Sequence, residues 1–391
     1  MTLDLLDFLT APAGRELLAA SLALAPTEAN YLRCVSTLRK QFSAAQAQAA
    51  LDLVIQRKKA ERKFSRAAEM YFTRESLEVA SGEAIAKYRA KRFAAYESVA
   101  DLCCGIGGDS LGFAQSGFTV HAQDSDPLRL RMAELNAGVN GFTGRMHFQQ
   151  ADVLRDPLPD APAMFADPGR RAEGRRFLSL NDYLPPPQAI LHRLPAEFPI
   201  AFKLAPGVNL ADAESLNAEL EFIAVDGELK ECVAWNGALK TCLRRATLLP
   251  SGETISADDV PLLAEPRAIG AFLYDPASAA VRAGLVPLLA EMLNAEPTDY
   301  TVQMLTSDDE VHSPWVQCYA VEAVLKWDAK AVNAALRANN IGRITPLHRG
   351  AAPDAEAFVK RWKLTGKEHC HTILTRSRGD WVVILARLLA A

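Results

Sequence analysis

A glycine-rich loop that opens on an acidic residue carries the clearest chemical signal in this sequence. Asp101 ends a short apolar segment and is followed by Cys103-Cys104-Gly105-Ile106-Gly107-Gly108-Asp109. Glycines between a strand and a helix let the backbone approach a ligand, and the helix N-terminus offers it unpaired N–H groups. The spacing is Gly-x-Gly-Gly and differs from the Gly-x-Gly-x-x-Gly of dinucleotide sites. An acid at the start of the loop suits the cationic amino-acid end of a ligand better than a pyrophosphate.

Two more aspartates follow at the next two predicted strand ends. Asp124 lies 23 positions after Asp101, where the acid of a Rossmann-type site accepts hydrogen bonds from ribose hydroxyls. Asp152 follows the third strand and can accept a hydrogen bond from an adenine amino group. A nucleoside that carries a cationic amino acid is S-adenosylmethionine, and the sequence predicts that cofactor. Helix capping and turn formation explain each Asp or Gly singly, but they explain the set poorly.

The predicted cofactor contacts of this region share one loop and three strand ends. They are Asp101, Cys103, Gly105, Gly107, Asp109, Asp124, Asp126 and Asp152. Asp126 is also expected to N-cap a helix that begins at Pro127.

The run Asp167-Pro168-Gly169-Arg170-Arg171 follows the fourth predicted strand, beside the expected position of the transferred methyl group. Enzymes that methylate exocyclic amines have Asp or Asn, two prolines and an aromatic residue here. Asp167 and Pro168 match this pattern and the next three residues do not. We predict catalytic roles for Asp167, Pro168 and Arg170, with Arg170 and Arg171 stacking on a base or pairing with phosphate. The alternative is a Pro-Gly turn followed by solvated arginines.

Charge is distributed unevenly along the chain. The net charge of the 391 residues is −4, yet residues 57–92 and residues 337–391 carry +6 each, and residues 93–336 carry −15. Two basic flanks around an acidic middle suit a polyanionic substrate, and we predict substrate contacts from Lys58 and Lys59. Alternatively, these side chains only solvate helix faces.

The elements that must position these residues fall into three predicted domains. Residues 1–95 are rich in Ala and Leu, have no Gly between Arg15 and Ser81, and predict a helical domain with helix starts near 26–28, 43 and 81–83. Residues 96–250 predict a Rossmann-like α/β domain with parallel strands. Asp226-Gly227 and Asn236-Gly237 predict an antiparallel meander that ends it. Residues 265–391 predict a separate α/β domain beyond a linker at 250–253.

Composition excludes several other classes of protein. The first seven residues carry acids where a signal peptide carries Lys or Arg, and no run of about 18 apolar residues occurs, so we expect a cytoplasmic protein without a membrane partner. Seven scattered cysteines suit neither a disulfide framework nor a zinc ribbon. His369 and His371 share one face of a predicted strand and offer two ligands at most, so we expect no metal.

The sequence resembles a bacterial family of class I methyltransferases with a THUMP-like C-terminal domain. The matching stretches are Tyr71 to Glu78, Ala100 to Asp109, Asp167 to Arg171 with Asp182-Tyr183, Lys203 to Gly207, and Val225 to Glu231. The family more often has Ala at position 169. Its THUMP-like domain implies an RNA substrate. The loop is also similar to that of trimethylguanosine synthase, a similarity that implies a cofactor contact from Thr73, beside Phe72. That enzyme has Ser-Pro-Pro-Trp where this chain has Asp167 to Arg170, so cap methylation does not carry over.

Together these features favour an RNA methyltransferase that acts on a base nitrogen. A methyltransferase for a protein or a small molecule is an alternative, and so is a non-catalytic module that binds S-adenosylmethionine and RNA.

Overall fold

A computed structural model describes residues 1–169, 171–172, 175–176, 179–352 and 354–389, with the backbone alone at 171, 172, 175 and 176. The chain divides into two compact units. The first comprises Met1–Leu220, Glu231–Thr241 and Leu249–Gly252, and the second comprises Glu221–Lys230, Cys242–Leu248 and Glu253–Ala391. The predicted domain limits at 1–95, 96–250 and 265–391 stay a prediction.

Six helices precede the first strand, as the Ala-rich and glycine-poor sequence predicts. They are α1 (Leu3–Thr10), α2 (Pro12–Ala23), α3 (Tyr31–Leu38), α4 (Ala44–Ala60), α5 (Arg74–Val79) and α6 (Glu83–Ala90). The starts predicted at Ser43 and at 81–83 are confirmed, and Ser43 forms a capping box with Gln46. The start predicted at 26–28 is wrong: the Thr27 N–H donates to Asn30 Oδ1, which folds this segment into a turn, and α3 begins at Tyr31.

Strands then alternate with helices, as predicted. The elements are β1 (Ser98–Asp101), α7 (Gly108–Gln115), β2 (Thr119–Asp124), α8 (Pro127–Asn140), β3 (Met146–Gln150), β4 (Met164–Ala166), β5 (Arg171–Ala172), β6 (Arg175–Arg176), α9 (Pro187–Leu191), β7 (Ile200–Leu204), α10 (Leu210–Glu214), β8 (Glu219–Val225) and β9 (Glu228–Asn236). In the first unit the sheet order is β9-β7-β4-β1-β2-β3. All these neighbours are parallel except β7 and β9, which are antiparallel. The predicted Rossmann-like sheet with an antiparallel end is confirmed.

The two predicted hairpin turns have different outcomes. Asp226 and Gly227, both with positive φ, form the turn between β8 and β9 as predicted. Asn236-Gly237 does not form a hairpin, because the chain leaves β9 through a 3-10 turn and β10 (Arg244–Leu249) lies beside β8. Residues 250–253, predicted as a linker, connect β10 to its antiparallel neighbour β11 (Glu253–Ala257).

The second unit contains a seven-stranded sheet. Its elements are β12 (Phe272–Pro276), α11 (Ser278–Ala283), α12 (Val286–Leu293), β13 (Glu296–Pro297), β14 (Leu305–Ser307), β15 (Val316–Lys326), α13 (Ala329–Ala338), β16 (Ile341–His348), α14 (Ala355–Val359), β17 (Glu368–Ser377) and β18 (Asp380–Leu388). The order is β13-β14-β12-β15-β18-β17-β16, and only β16 and β17 are parallel among the pairs described. Side chains of α13 and α14 share a buried cluster with one face of this sheet. The predicted C-terminal α/β fold is confirmed.

Aromatic side chains fill the centre of the first unit. Phe113 of α7 contacts Phe93 and Phe165 with ring centroids 5.0 and 5.7 Å apart, and Trp235 of β9 lies 5.9 Å from Phe93. This core joins the helical segment to the sheet. In the part of the chain that the structure describes, no helix is long and apolar enough to cross a bilayer.

Helices α6 and α7 approach each other at Gly112. A Cβ added at Gly112 would lie 2.5 Å from the Ala86 Cβ and 2.9 Å from the Ala86 carbonyl carbon. The absence of a side chain therefore sets the separation of the two helices.

We expect Gly112→Ala to lower the free energy of unfolding by about 1–3 kcal/mol, because α6 and α7 must separate. Helix propensity alone would give the opposite sign, a gain of about 1 kcal/mol. Gly138→Ala in α8 is the matched control, since its added Cβ would meet only Thr143 Cγ2, at 3.9 Å. Urea denaturation of the two variants checks this, and equal stabilities would contradict it.

Candidate functional site

Parallel register brings the carboxyl ends of four strands to one edge of the sheet. Asp124 is in register with Gln150, two residues before Asp152, and Asp101 is in register with Phe165, two residues before Asp167. The four aspartates predicted from strand ends therefore lie along a single edge, the position at which open α/β sheets bind ligands.

Asp101 is fully buried at the end of β1. Its Oδ2 accepts a hydrogen bond from the Ser110 hydroxyl at 2.6 Å, while Oδ1 is buried without a hydrogen-bond partner among the described residues. Burial and the charge of Asp109 raise the pKa of Asp101 to about 8. A buried carboxyl group with one unpaired oxygen is suited to receive a cationic donor.

The glycine loop is held open by backbone conformation and by one asparagine. Gly105 and Gly107 have φ values of +57° and +86°, which favour glycine. A Cβ at Gly105 would meet nothing within 4 Å, so this glycine borders open space. Asn136 of α8 donates to the carbonyls of Ile106 and Tyr71 at 3.0 and 3.2 Å. The loop is thereby tied both to α8 and to the helical segment.

Asp124 fixes the same loop from the neighbouring strand. Its Oδ2 accepts from the Gly105 N–H at 2.8 Å and its Oδ1 from the Asp126 N–H at 2.9 Å. Burial raises the pKa of Asp124, and these backbone donors oppose that effect. Asp126 accepts from the Leu128 N–H at 2.8 Å and N-caps α8 as predicted. Each Asp124 oxygen has a second lone pair, so ribose hydroxyls can still be bound.

Asp152 lies at the more open end of the edge. Its Oδ1 accepts from the Leu154 N–H at 2.9 Å, and its side chain is 40% exposed. An exposed acceptor at this place can reach the base of a nucleoside whose ribose lies at Asp124.

Asp167 forms a buried ion pair that the sequence did not predict. Lys203 of β7 places its Nζ 2.5 Å from Asp167 Oδ2, with side chains exposed by 4% and 17%. Pro168 is buried and Gly169 exchanges two hydrogen bonds with Leu184, at 2.8 and 2.9 Å. Asp167 and Gly169, the first and third residues after β4, are therefore both held by hydrogen bonds.

The structure describes the two predicted substrate arginines to different extents. Arg170 lies outside the described residues, and Arg171 is described only by its backbone in the two-residue strand β5. Their predicted roles stay predictions.

Arg89 of α6 is the second site residue that the sequence analysis missed. Its Nη2 donates to Asp109 Oδ1 and, at 2.7 Å, to the Ser81 hydroxyl, while Nη1 lies 3.0 Å from Glu231 Oε1. Its guanidinium also lies over the Phe165 ring, 4.8 Å from the centroid. Burial alone would lower the pKa of Arg89, but the surrounding carboxylates outweigh it and raise that pKa. In the sequence, Arg89 is one of the basic residues in the run 57–92, and no motif marks it. Its partner Glu231 ends a stretch that matches the family.

Other predicted contacts are occupied by structural partners. Asp109 accepts from Arg89 and from Ser81, the latter at 3.0 Å. Thr73 forms a capping box with Ser76 at the start of α5. Burial and the charge of Asp124 raise the pKa of Cys103 well above its usual value. The cofactor roles of Thr73, Cys103 and Asp109 remain predictions.

The basic run at 57–92 is partly internal. Arg57 donates to the carbonyls of Met70 and Glu69 at 2.8 and 2.9 Å, and Arg92 pairs with the buried Glu219. Lys58 and Lys59 are exposed, and Lys58 pairs with Glu61 at 2.7 Å. Both lysines therefore lie at the surface, and their substrate role stays a prediction. In the described part of the chain, no group of three His, Cys, Asp or Glu side chains could hold a metal ion.

Known families match three parts of the sequence. The model of the RNA cap guanine-N2 methyltransferase family matches residues 96–183, a THUMP domain-like family matches residues 316–388, and a domain of unknown function matches residues 2–60. The first of these contains all four strand-end aspartates.

Several named proteins are similar to this chain. Two uncharacterized S-adenosylmethionine-dependent methyltransferases of Mycobacterium tuberculosis, from strains CDC 1551 and H37Rv, are each 32% identical over 309 residues, or 78% of this chain and 84% of theirs. An uncharacterized RNA methyltransferase of Parasynechococcus marenigrum is 37% identical over 76 residues, or 19% of this chain and 16% of its own. The crystal structure of a candidate methyltransferase from Porphyromonas gingivalis W83 has a TM-score of 0.74 at 16% identity, covering 96% of this chain and 99% of that one, and shows the same fold.

We expect Arg89→Met to lower the free energy of unfolding by about 3–5 kcal/mol, since it leaves Asp109 and Glu231 buried without their counter-charge. Arg66→Met is the matched control, because Arg66 is 46% exposed and pairs with Glu69 on the surface, where about 0–1 kcal/mol is expected. Guanidinium denaturation measures both. Equal losses in the two variants would mean that the buried pair does not hold this part of the fold together.

Proposed function

This chain belongs to the class I S-adenosylmethionine-dependent methyltransferases, and from that premise we propose that it methylates a nitrogen of an RNA base. The observation that carries the acceptor assignment is Asp167, a carboxylate that follows β4 at the ligand-binding edge and is paired with a buried ammonium. An ionised carboxylate accepts a hydrogen bond from an N–H group and stabilises positive charge on that nitrogen.

The residues at the sheet edge fit the cofactor. Asp101 keeps one buried oxygen without a hydrogen-bond partner among the described residues, and Gly105 borders open space. We propose that Asp101 receives the cationic amino group, that Asp124 receives the ribose hydroxyls and that Asp152 receives the adenine amino group. Gly105 and Gly107 would let the backbone approach. When bound, S-adenosylmethionine supplies an electrophilic methyl group on a sulfonium centre.

Three features of the sequence support RNA as the substrate class. A family of RNA cap guanine-N2 methyltransferases matches the region of the four aspartates, a THUMP domain-like family matches residues 316–388, and one relative is named as an RNA methyltransferase. The exposed Lys58 and Lys59 and the arginines after Gly169 would contact phosphates.

The substrate class is tested by transfer of labelled methyl groups from S-adenosylmethionine to RNA, DNA and protein from cells that lack this enzyme. We expect label in RNA, and binding to RNA that weakens steeply with salt. Label in protein alone would replace RNA with a protein substrate. Binding of cofactor and RNA without any transfer would indicate a non-catalytic module.

We expect Asp124→Ala and Asp167→Ala to separate cofactor binding from methyl transfer. Asp124→Ala should abolish cofactor binding, since it removes both the ribose acceptor and a support of the glycine loop. Asp167→Ala should retain cofactor binding and lower transfer by about 10²-fold or more. Calorimetry and labelled transfer measure the two effects, with the exposed Asp160→Ala as control. Full transfer by Asp167→Ala would overturn the acceptor assignment.

We expect cofactor binding to release about one proton per molecule near pH 6.5. Asp101, with a pKa of about 8, is protonated there in the free protein, and a bound cation favours its ionised form. Affinity should therefore rise with pH by up to about tenfold per unit below pH 8. Calorimetry in two buffers of different ionisation enthalpy measures the proton release. Binding by the native protein without proton release would show that Asp101 does not change its protonation state when the cofactor binds.

A further inference from the structure

Lys203 is a charged side chain in an apolar strand. All five residues of β7 are buried, and the Lys203 side chain is only 4% exposed. Lysine is seldom buried to this extent without a charged partner, because desolvation of the ammonium is costly. Its Nζ lies 2.5 Å from Asp167 Oδ2 and donates to the Val79 carbonyl at 3.0 Å.

Strand register places the pair without any adjustment of the loop. Ala166, the last residue of β4, is in register with Phe202 of β7. Asp167 directly follows Ala166, and Lys203 directly follows Phe202, so the two residues are neighbours across the strands. Neighbouring residues in register point to the same face of the sheet. The lysine therefore meets the carboxylate wherever β4 and β7 pair in this way.

The second partner of Lys203 fixes the lysine itself. Val79 is the last residue of α5, and its carbonyl is one of the helix-end acceptors that need a donor. Lys63 donates to the carbonyls of Leu77, Glu78 and Ala80, at 2.7, 3.1 and 2.8 Å. Two ammonium groups thus bind four successive carbonyls at this helix end, and the Lys203 Nζ is held by the Val79 carbonyl as well as by Asp167.

We propose that Lys203 is a positioning residue for methyl transfer, one that fixes the Asp167 side chain and directs a single carboxylate oxygen to the acceptor nitrogen. Lys203 occupies Oδ2, and Oδ1 then receives the N–H of the acceptor. This inference rests on the proposed role of Asp167. It deepens that role, because a carboxylate paired with an ammonium is a hydrogen-bond acceptor and a weak base. Such a carboxylate suits methyl transfer to an amine nitrogen and does not suit transfer to a ring carbon.

Other titratable groups interact electrostatically with Asp167 from the surrounding elements. They are Arg89 of α6, Asp101 of β1, Cys103 of the loop and Glu231 of β9. Without Lys203, Arg89 is the remaining cation of this set, and it already pairs with Asp109 and Glu231. A variant without the ammonium therefore leaves the half-buried Asp167 carboxylate without its ion-pair partner and without the contact that fixes its orientation.

The first measurement does not depend on activity. We expect Lys203→Met to lower the urea midpoint of the cofactor-free protein, and Asp167→Asn added to it to raise the midpoint again, because the second change removes the uncompensated carboxylate. Lys230→Met is the matched control, since Lys230 is 42% exposed and pairs with Glu228 at 2.6 Å. A double variant no more stable than Lys203→Met would overturn the proposed pairing.

The second measurement separates kcat from KM for labelled methyl transfer to RNA from cells that lack this enzyme. We expect Lys203→Met to lower kcat about tenfold or more and to leave the KM for S-adenosylmethionine within about twofold, because the acceptor nitrogen loses its aligned carboxylate oxygen while the cofactor contacts remain. An unchanged kcat in Lys203→Met, with Asp167→Asn inactive, would overturn the inference alone. Full transfer by Asp167→Asn would overturn the proposed function and this inference with it.

Discussion

The architecture of the site depends on the burial of the Arg89 guanidinium. Three formal charges, on Arg89, Asp109 and Glu231, have been removed from water, and each requires the others for compensation. Because these residues belong to α6, α7 and β9, their relative positions are set by ion-pair geometry as well as by apolar packing. Phe113 of α7 and Trp235 of β9 both contact Phe93, which lies three residues after the end of α6, so apolar packing acts on the same part of the fold as the ion pairs.

From this junction the constraint extends to the ligand-binding edge. Asp109 lies in the first turn of α7, and Ser110, the next residue, donates to Asp101. A displaced α7 would therefore change the hydrogen bonding of Asp101. The segment before α6 takes part as well, since Ser81 bridges Arg89 and Asp109 and the carbonyls of Tyr71 and Val79 bind Asn136 and Lys203. The helical segment that precedes β1 is thus part of the wall of the site.

The sequence predicted those features that depend on chain order. Strand ends carry Asp101, Asp124, Asp152 and Asp167 in succession, and parallel pairing must bring them to one edge, so their proximity followed from the strand pattern. Ion pairs between distant residues gave no such signal. Arg89 and Glu231 are far apart in the chain, and Lys203 entered the sequence analysis only as the first residue of a stretch that matches the family. The Asn236-Gly237 prediction was wrong because a local turn preference does not determine which strand the chain pairs with next, and here β10 pairs beside β8.

The buried charges of the site are unequal in number, and this bears on what the site can bind. Asp101, Asp109, Asp167 and Glu231 face two buried cations, Arg89 and Lys203. Burial raises the pKa of both Asp101 and Glu231, as expected where acids outnumber bases. Of the two, Glu231 pairs with Arg89, whereas Asp101 directly precedes the glycine loop and has no ion-pair partner among the described residues. Under the proposed binding mode, the cationic cofactor supplies the missing charge, so the deficit that keeps Asp101 protonated in the free protein becomes a preference for a positively charged ligand. Neutral nucleosides would leave that deficit in place, which makes charge as well as shape a basis for cofactor selection.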